Sequence, residues 1–450
     1  MDGNVLPSKL INLLSKAADT VRSHDFVQIY THYDADGLSA AGILANTMLR
    51  AGKEFNVTTF KTLDIDAFNI IKGCTANCMI IADIGASYIK EIEEMGKDAI
   101  VLDHHTLREN SDKIVYANPH LFGVDGMVGA CGATMSLLFS VAYDERNWDL
   151  VQIAFAGITG DKQHTKGLVG FNSYVLEEGE RRGFVKTIPG SLVPTGPTAK
   201  SLYSCTEPYI RGISGNQSAV LKLMEEAGLQ PDANYVTLTE DERRRLSSLI
   251  AVKLTGQGTS TEAMAGFTRT RYYLTGWKMD AEALAELLDA CGRKLMQGIG
   301  IAMCMGSEDD LLRANELRNE YSDEIVGAAT ALDSKGVRQM EHIQCIDCSE
   351  TGYTGVLCGI VMQSFEDRGK PVIGIKIKSG ENTNVSARAT NSLLDRGVNL
   401  ADALYLSAKS VGGEGGGHRI ASGGSIPPGS EDTFLENLDK IIGEQLRSST

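Results

Sequence analysis

The chain has 450 residues and a hydrophobic content of 42%, which allows about two to four domains with substantial cores. Its 43 basic and 58 acidic residues give a net charge of −15, which argues against broad, nonspecific binding to nucleic acid but not against a narrow binding groove. We find no apolar run of the roughly 18 residues that a membrane span needs, and Met1-Asp2-Gly3-Asn4 lacks the basic start of a signal peptide. We therefore expect a cytoplasmic protein with no membrane partner. The nine cysteines are scattered, and the lone pair Cys345-x-x-Cys348 does not favour zinc.

Three short apolar runs, 26–30, 78–82 and 99–102, predict buried strands. A helix is predicted after the first run, over 38–51. A fourth apolar run, 151–158, ends in Thr159-Gly160-Asp161, and we expect it to end at the same place as the strands. Because the carboxyl ends of parallel strands share one edge of a sheet, the side chains that follow these runs should lie together. They are His32, Asp34, Asp36, Asp83, Asp103, His104, His105 and Asp161.

The charges of this set predict metal ions. Five carboxylates in one crevice repel each other, and without cations several would have to stay protonated. Carboxylate and imidazole ligands suit Mn2+ or Mg2+, and there are more carboxylates than one ion can use. A calcium loop of the EF-hand type is disfavoured, because position 45 holds Ala45 instead of a glutamate. The structural alternatives are a surface loop for Asp103-His104-His105, a helix cap for Asp83 and, for Asp161, an ordinary surface acid after a helix.

A second candidate site lies near the carboxyl terminus. The glycine run 412–417, interrupted by Glu414, lets the backbone approach a ligand closely, and its amides could hold a phosphate. His418 and Arg419 follow directly. Arg388 lies on a predicted strand over 384–389. The alternatives are a flexible linker for the glycines and a solvated strand residue for Arg388.

The remaining pattern predicts three domains, at 1–197, 198–330 and 331–450. The Pro- and Gly-rich stretch 183–197 is typical of a loop or linker. The middle region is predicted to be a mostly helical insert. The last region returns to mixed elements. The predicted helices of the insert are 219–227, 240–254, 280–288 and 309–319; the last region has predicted strands at 343–346, 371–378 and 384–389 and helices at 354–365, 400–410 and 433–446.

The order of these motifs resembles the DHH phosphoesterase superfamily. The motifs are His32-x-Asp34-x-Asp36-Gly37, Asp83, Asp103-His104-His105, Gly160-Asp161 and Gly415-Gly416-Gly417-His418. Length and motif style are most similar to archaeal RecJ-like single-strand-specific exonucleases. The resemblance implies an α/β protein with a parallel-sheet DHH catalytic domain, a helical insert and a smaller α/β DHH-associated domain, which together form a cleft.

The resemblance also implies a role for each residue. His32 and Asp34 would bind the first of two divalent cations, most simply Mn2+ with Mg2+ as the alternative. Asp36 and His104 would bind the second, Asp83 would bridge both, and Asp161 would complete the cluster. Asp103 would orient a neighbour, and His105 would contact the scissile phosphate. Substrate contacts in the last domain would come from Arg388, Gly415, Gly416, Gly417, His418 and Arg419.

Three functions stay open at this point. The first is a metal-dependent exonuclease on single-stranded DNA or RNA, in DNA replication or repair or in RNA turnover. The second is a phosphodiesterase for oligoribonucleotides or cyclic dinucleotides. The third, from another class, is a replisome scaffold that binds the GINS complex, although the retained metal-ligand residues weigh against a purely structural role. Tyr33, Phe122 and Tyr353 are candidates for stacking on bases, and each could equally be a packing residue.

Overall fold

The computed structural model describes residues 6–193, 195–259, 261–364 and 369–448, so Met1-Asp2-Gly3-Asn4 lie outside the described residues. The chain forms two compact units. The first combines Met1–Gly190 with Arg269–Tyr321, and the second combines Ser191–Thr268 with Ser322–Thr450. The predicted insert 198–330 is thus divided between the two units. The division into three domains at 1–197, 198–330 and 331–450 stays a prediction.

The elements alternate between helix and strand along most of the chain. The strands are β1 (Phe26–His32), β2 (Glu54–Phe60), β3 (Cys78–Ala82), β4 (Asp98–Leu102), β5 (Val115–Ala117), β6 (Val185–Ile188), β7 (Arg271–Leu274), β8 (Met279–Asp280), β9 (Arg338–Gln339), β10 (Gln344–Asp347), β11 (Val372–Lys376), β12 (Thr383–Arg388), β13 (Glu414–Gly417) and β14 (Ala421–Ile426). The helices are α1 (Ser8–Arg22), α2 (Ala35–Arg50), α3 (Ile65–Lys72), α4 (Ile89–Glu94), α5 (Gly132–Tyr143), α6 (Val151–Gly160), α7 (Gly170–Arg181), α8 (Thr198–Tyr203), α9 (Gln217–Glu226), α10 (Glu240–Gly256), α11 (Thr261–Phe267), α12 (Ala281–Arg293), α13 (Gln297–Cys304), α14 (Glu308–Lys335), α15 (Thr354–Ser364), α16 (Asn391–Asp395), α17 (Leu400–Ser410) and α18 (Glu431–Ser448).

The first unit is built on a five-stranded sheet of order β2-β1-β3-β4-β5, in which every neighbouring pair is parallel. The central strands carry apolar side chains on both faces, because helices cover both faces. Ile80 and Ile100 point into a core shared with α1, α2, α5 and α6, whereas Ile81 and Val101 point into a core shared with α3 and α4. This alternation explains why the strands β3 and β4 were recognisable as continuous apolar runs. The predicted α/β fold is confirmed.

The fourth apolar run is a helix and not a strand. Residues Val151–Gly160 form α6, which is buried from Val151 to Thr159. A short apolar run that is buried on all sides shows no hydrophobic periodicity, so its sequence does not distinguish a strand from a buried helix. Its acid, Asp161, lies directly after the last helical residue.

A second, three-stranded sheet of order β6-β7-β8 belongs to the first unit. The strand β6 lies inside 183–197, so that stretch is not only a loop; position 194 lies outside the described residues. The strands β7 and β8 lie inside the insert that was predicted as mostly helical. Both predictions missed this sheet because its strands are only two to four residues long.

The second unit contains a six-stranded sheet of order β13-β14-β12-β11-β10-β9. Only the β10–β11 pair is parallel, and the other pairs are antiparallel. The helix predicted over 354–365 is α15, which ends at Ser364, and Phe365 lies outside the described residues. None of the helices in the described part of the chain has the length and the apolar composition that crossing a lipid bilayer requires.

Candidate metal centre and phosphate site

The metal-ligand candidates of the first unit lie at the carboxyl edge of the parallel sheet. His32 ends β1, Asp83 follows β3 and Asp103 follows β4. Asp34 caps the amino terminus of α2, where its Oδ1 accepts the backbone N–H of Gly37 at 3.1 Å. The sheet topology thus brings together residues that are up to 129 positions apart in the sequence, counted from His32 to Asp161.

One group of donors contains His32, Asp34 and Asp83. The Nδ1 of His32 lies 2.8 Å from an Asp34 oxygen and 3.7 Å from Oδ2 of Asp83. The other ring nitrogen, Nε2, lies 2.9 Å from the Lys61 carbonyl oxygen. Because a carbonyl oxygen only accepts, Nε2 carries the proton, and Nδ1 is the nitrogen available to a metal.

A second group contains Asp36, His104 and Asp161. The Nε2 of His104 lies 3.9 Å from Asp36, 3.4 Å from Asp161 and 3.2 Å from Oδ1 of Asp83. Its Nδ1 donates to the carbonyl oxygen of Gly126 at 2.8 Å, which again leaves the other nitrogen for a metal. Asp83 therefore presents one oxygen to each histidine.

The crowding of carboxylates perturbs their protonation. Burial raises the pKa of Asp83 well above its usual value, and the charges of Asp36, Asp34 and Asp161 raise it further. Burial, followed by the charge of Asp36, raises the pKa of Asp161 to about 7. Burial opposes ionisation of Asp34 as well, but the hydrogen bond and charge of His32 prevail and lower its pKa. Carboxylates that repel each other in this way, with imidazole nitrogens beside them, fit hard divalent cations.

Backbone groups hold Asp36 in place. Its carboxylate is 1% exposed and accepts the N–H groups of Gly132 at 2.6 Å and Ala133 at 2.9 Å. These two residues begin α5, so the carboxylate lies at the positive end of that helix. The run of small residues from Gly129 to Thr134 is the only sequence feature that could have indicated this support.

The contacts of Asp103 and His105 differ from those of the residues in the two donor groups. The Oδ1 of Asp103 accepts the Nδ1–H of His105 at 2.8 Å and the backbone N–H of His104 at 2.7 Å. Its Oδ2 accepts the N–H of Ala86 at 2.7 Å. The carboxylate is fully buried, whereas the His105 side chain is 49% exposed. A buried acid thus fixes the ring of an accessible histidine, although Asp83, Asp103, His104 and His105 also have donor atoms close together.

A buried amide network lies behind the metal-ligand candidates and was not predicted from the sequence. The Nε2 of Gln163 donates to the carbonyl oxygens of Gly126 at 3.0 Å and Ala130 at 3.2 Å, and it lies 3.4 Å from Asp161. Its Oε1 accepts from Asn172 at 2.7 Å. Gln163 therefore contacts the same Gly126 carbonyl that orients His104. Its position two residues after Asp161 was the only available signal.

A buried ion-pair cluster lies close to this network. His164, 2% exposed, contacts Glu282 at 2.9 Å through Nε2, and Arg269 also bonds to Glu282. Burial opposes ionisation of Glu282, but the hydrogen bond of His164 and the charge of Arg269 prevail and lower its pKa. The cluster fixes α12 to the segment that follows Asp161.

The predicted substrate residues of the second unit share one end of its sheet. Arg388 ends β12 and is paired with Ala421 of β14, and Gly417 ends β13 and is paired with Ser422. His418 closes the hairpin between β13 and β14, since its N–H donates to the Ala421 carbonyl oxygen at 2.9 Å. The sheet therefore brings together Arg388, Gly415, Gly416, Gly417, His418 and Arg419.

The packing and backbone conformation differ among Gly415, Gly416 and Gly417. A side chain at Gly415 would lie 2.8 Å from the carbonyl oxygen of Leu404 in α17, and Gly417 has a φ of +135°, which disfavours any other residue. A Cβ at Gly416 would meet nothing within 4 Å. The glycine run is an edge strand, and packing explains only two of its three glycines.

The aromatic candidates have different surroundings. The Tyr33 ring lies edge-to-face on the ring of His32, with centroids 4.9 Å apart. Phe122 is partly buried against the first core. The hydroxyl of Tyr353 donates to Glu324. Of these three aromatic residues, Tyr33 is the one that contacts the candidate metal centre.

Comparison with known proteins defines the class. Residues 26–158 match the DHH family, N-terminal domain, and residues 342–444 match the DHHA1 domain. The chain belongs to the DHH phosphoesterase superfamily. Uncharacterized protein MJ0831 of Methanocaldococcus jannaschii is 30% identical over 435 residues, which cover 94% of this chain and 95% of that protein.

Solved structures show the same fold. RecJ of Thermus thermophilus, solved in complex with Mn2+, matches with a TM-score of 0.61 and 15% sequence identity. The match covers 98% of this chain and 55% of the RecJ chain, so this chain spans about half the length of that RecJ. CDC45 of Entamoeba histolytica matches with a TM-score of 0.63 and 10% identity over 97% of this chain and 99% of its own. The RecJ-like DHH fold is confirmed, and family membership indicates a phosphoester hydrolase with clusters that could hold metal ions.

Proposed function

We propose that this protein is a two-metal phosphodiesterase that degrades single-stranded nucleic acid from an end, with Mn2+ as the preferred ion and Mg2+ as the alternative. The observation that carries the proposal is the position of Asp83, which directs one oxygen to His32 and the other to His104. A carboxylate that faces two donor groups is the arrangement that a pair of bridged cations needs.

The two donor groups define the ligand sets. His32 and Asp34 would hold one ion, Asp36, His104 and Asp161 would hold the other, and Asp83 would contact both. Bound divalent cations would lower the pKa of a water molecule and offset the charge of the phosphoryl oxygens. Burial and then the repulsion of its neighbours raise the pKa of Asp83, and with cations bound the carboxylates would be ionised together.

The other residues act on the phosphate. His105, held by Asp103 through Nδ1, presents its accessible ring to a phosphoryl or leaving oxygen, and this contact would offset charge in the transition state. In the second unit, Arg388, His418 and Arg419 would pair with a phosphate of the substrate. The amides of Gly415, Gly416 and Gly417 would contribute hydrogen bonds to that phosphate.

A nuclease assay tests the proposal. The purified protein with Mn2+ is incubated with end-labelled single-stranded DNA and RNA, with dinucleotides and with cyclic dinucleotides. We expect stepwise shortening of single strands, no shortening with Asp83→Asn, and normal activity with Asp66→Asn, which removes an exposed carboxylate of α3. Cleavage of dinucleotides or cyclic dinucleotides alone would replace this proposal with the small-substrate phosphodiesterase.

The scaffold function has a separate signature. The shared fold of CDC45 supports a place in a replication complex, and we infer that GINS binding would accompany catalysis and not replace it, because the complete donor set of both groups is retained. A protein that captures GINS but cleaves no substrate with Mn2+ or Mg2+, and whose Asp83→Asn variant behaves identically, would be a scaffold.

A further inference from the structure

Tyr33 lies in the sequence between the proposed metal ligands His32 and Asp34, and its side chain is partly exposed to solvent. Its ring is half-buried and meets the His32 ring at 89°. The proposed mechanism gives this ring no task. An aromatic ring that is partly accessible beside a phosphate site is suited to stacking on a base.

The carboxyl end of α12 packs directly against Tyr33. A Cβ at Gly292 would lie 2.0 Å from the Tyr33 carbonyl oxygen and 3.5 Å from Cδ2 of its ring. Only a glycine permits this approach of backbone to backbone. The segment 269–321, which was predicted to belong to the insert, therefore forms part of the border of the metal centre.

Arg293 follows Gly292 and brings a positive charge to this border. Its Nε donates to Asp289 at 2.8 Å, and its side chain is 37% exposed. Because the backbone of Gly292 lies against that of Tyr33, Arg293 is attached to the chain directly at this border. The guanidinium is thus oriented by an acid and accessible to solvent at the border that Tyr33 and Gly292 form.

The turn after α12 exposes two apolar side chains. Leu295 is 73% exposed and has a φ of +58°, a conformation that is uncommon for a leucine, and Met296 is 49% exposed. The hydrogen bonds of Leu295 and Met296 N–H to Gly292 and Cys291 close this turn. These exposed apolar groups follow Arg293 by two and three residues and offer a surface to the flat face of a base.

We propose that Tyr33, Arg293 and the turn Leu295–Met296 form a subsite for one nucleotide of a single strand, next to the metal centre. The base would stack on the Tyr33 ring and contact the apolar turn, and Arg293 would pair with the adjoining phosphate. This inference rests on the proposed function and specifies its substrate class. The subsite accepts any base and favours strands over inorganic polyphosphates, which carry no base.

Equilibrium binding tests the subsite without relying on turnover. Fluorescence anisotropy with Mn2+ and a labelled phosphorothioate strand, which resists hydrolysis, compares Tyr33→Leu and Arg293→Ala with the parent. Arg181→Ala is the matched control, because Arg181 of α7 is an exposed arginine that also bonds to an acid on its own helix, Glu178. A second strand of the same length lacks its bases.

The two variants should fail in different ways. We expect Tyr33→Leu to weaken binding of the normal strand by roughly 5- to 100-fold and to have little effect on the abasic strand. Arg293→Ala should weaken binding of both strands and reduce the slope of log affinity against log salt by about one. Tyr33→Phe, which keeps the ring, should restore most of the affinity that Tyr33→Leu loses, and this rescue separates stacking from misfolding.

The outcomes separate this inference from the proposed function. If the parent binds and shortens strands, but Tyr33→Leu and Arg293→Ala bind like Arg181→Ala, the subsite is wrong and the nuclease stands. If the parent neither binds nor cleaves any strand, both are wrong. An equal loss by Tyr33→Leu on normal and abasic strands, or no rescue by Tyr33→Phe, would overturn the stacking role.

Discussion

Asp103→Asn tests whether the buried acid of the Asp103-His104-His105 motif organises the site. The Asp103 side chain accepts four hydrogen bonds: its Oδ2 accepts one from Ala86 at 2.7 Å, and its Oδ1 accepts those of His104 N–H at 2.7 Å, His105 N–H at 3.2 Å and His105 Nδ1 at 2.8 Å. The substitution keeps the shape of the side chain but replaces one acceptor oxygen with an NH2 group. Every group that contacts this side chain in these bonds is a donor.

The expected loss of folding stability follows from these four hydrogen bonds. The amide would keep its oxygen on the side with three donors and would place NH2 against the N–H of Ala86. A buried donor without an acceptor costs about 1–3 kcal/mol, and loss of the negative charge weakens the remaining bonds. Removal of one charge from the acidic cluster relieves Asp83, whose pKa is raised first by burial and partly by Asp103. We expect a net destabilisation of about 2–4 kcal/mol.

Calorimetric unfolding in the presence of a chelator measures this loss without a contribution from bound metal. The control is Asp125→Asn, an exposed carboxylate that accepts one backbone N–H, from Met127 at 2.9 Å. An asparagine can make the same turn, so the control should stay within about 0.5 kcal/mol of the parent. If Asp103→Asn also stays within that range, the hydrogen-bonded carboxylate does not stabilise the site and our account of its role is refuted.

Three further predictions address the metal ligands, the glycine strand and the ion-pair cluster. His104→Ala should weaken Mn2+ binding measured by titration calorimetry, whereas His105→Ala should bind Mn2+ like the parent and lose rate; equal metal loss would contradict the separate roles. Gly416→Ala should not lower thermal stability but should weaken strand binding. The control Gly359→Ala in α15 should raise stability by about 0.5–1 kcal/mol, because alanine is favoured over glycine inside a helix, and should not change strand binding. Parent-like affinity of Gly416→Ala would remove Gly416 from the phosphate contacts. Because the folded-state pKa of Glu282 is lowered, its contribution to stability is present above the unfolded value of about 4.3 and is lost as the pH falls through the folded value. Glu282→Gln should therefore destabilise the protein at neutral pH, with a gap to the parent that narrows below about pH 4 in pH-dependent thermal unfolding; a constant gap would contradict the ion-pair account.

The central strands and their ends could be predicted from the sequence because burial on both faces makes them continuous apolar runs. Strand β3 was predicted at its observed bounds, and β4 to within one residue. The edge strand β2 was missed because it is only partly buried and mixes polar with apolar residues. Strand β5 was missed because it has three residues. These strands depend on pairing with a neighbour, which no local pattern records.

The metal-ligand candidates were predictable for a different reason. Residues that follow strands of one parallel sheet share an edge, so His32, Asp83 and His104 could be expected together before the fold was known. Asp161 was expected to belong to the same set, but its run proved to be a helix. The support of Asp36 by α5 and of His104 through Gln163 depends on how helices pack over that edge, and single residues such as Gln163 carry no signal of it.

Asp83 shows why the acidic cluster must be explained by function and not by stability. The residue has a φ of +60°, which is unfavourable for a side chain with a Cβ, and it is 2% exposed. Its carboxylate is placed among other carboxylates, and a folded-state pKa above the unfolded value means that the ionised form opposes folding at neutral pH. Hydrogen bonds from backbone amides relieve Asp36 and Asp103. The Asp83 carboxylate instead lies 3.7 Å from Nδ1 of His32 and 3.2 Å from Nε2 of His104, and a carbonyl oxygen orients each of these two rings. A strained, buried, charge-crowded residue at the point where two donor groups meet would be stabilised by cations bound there, so the proposed metal binding would account for each of these costs.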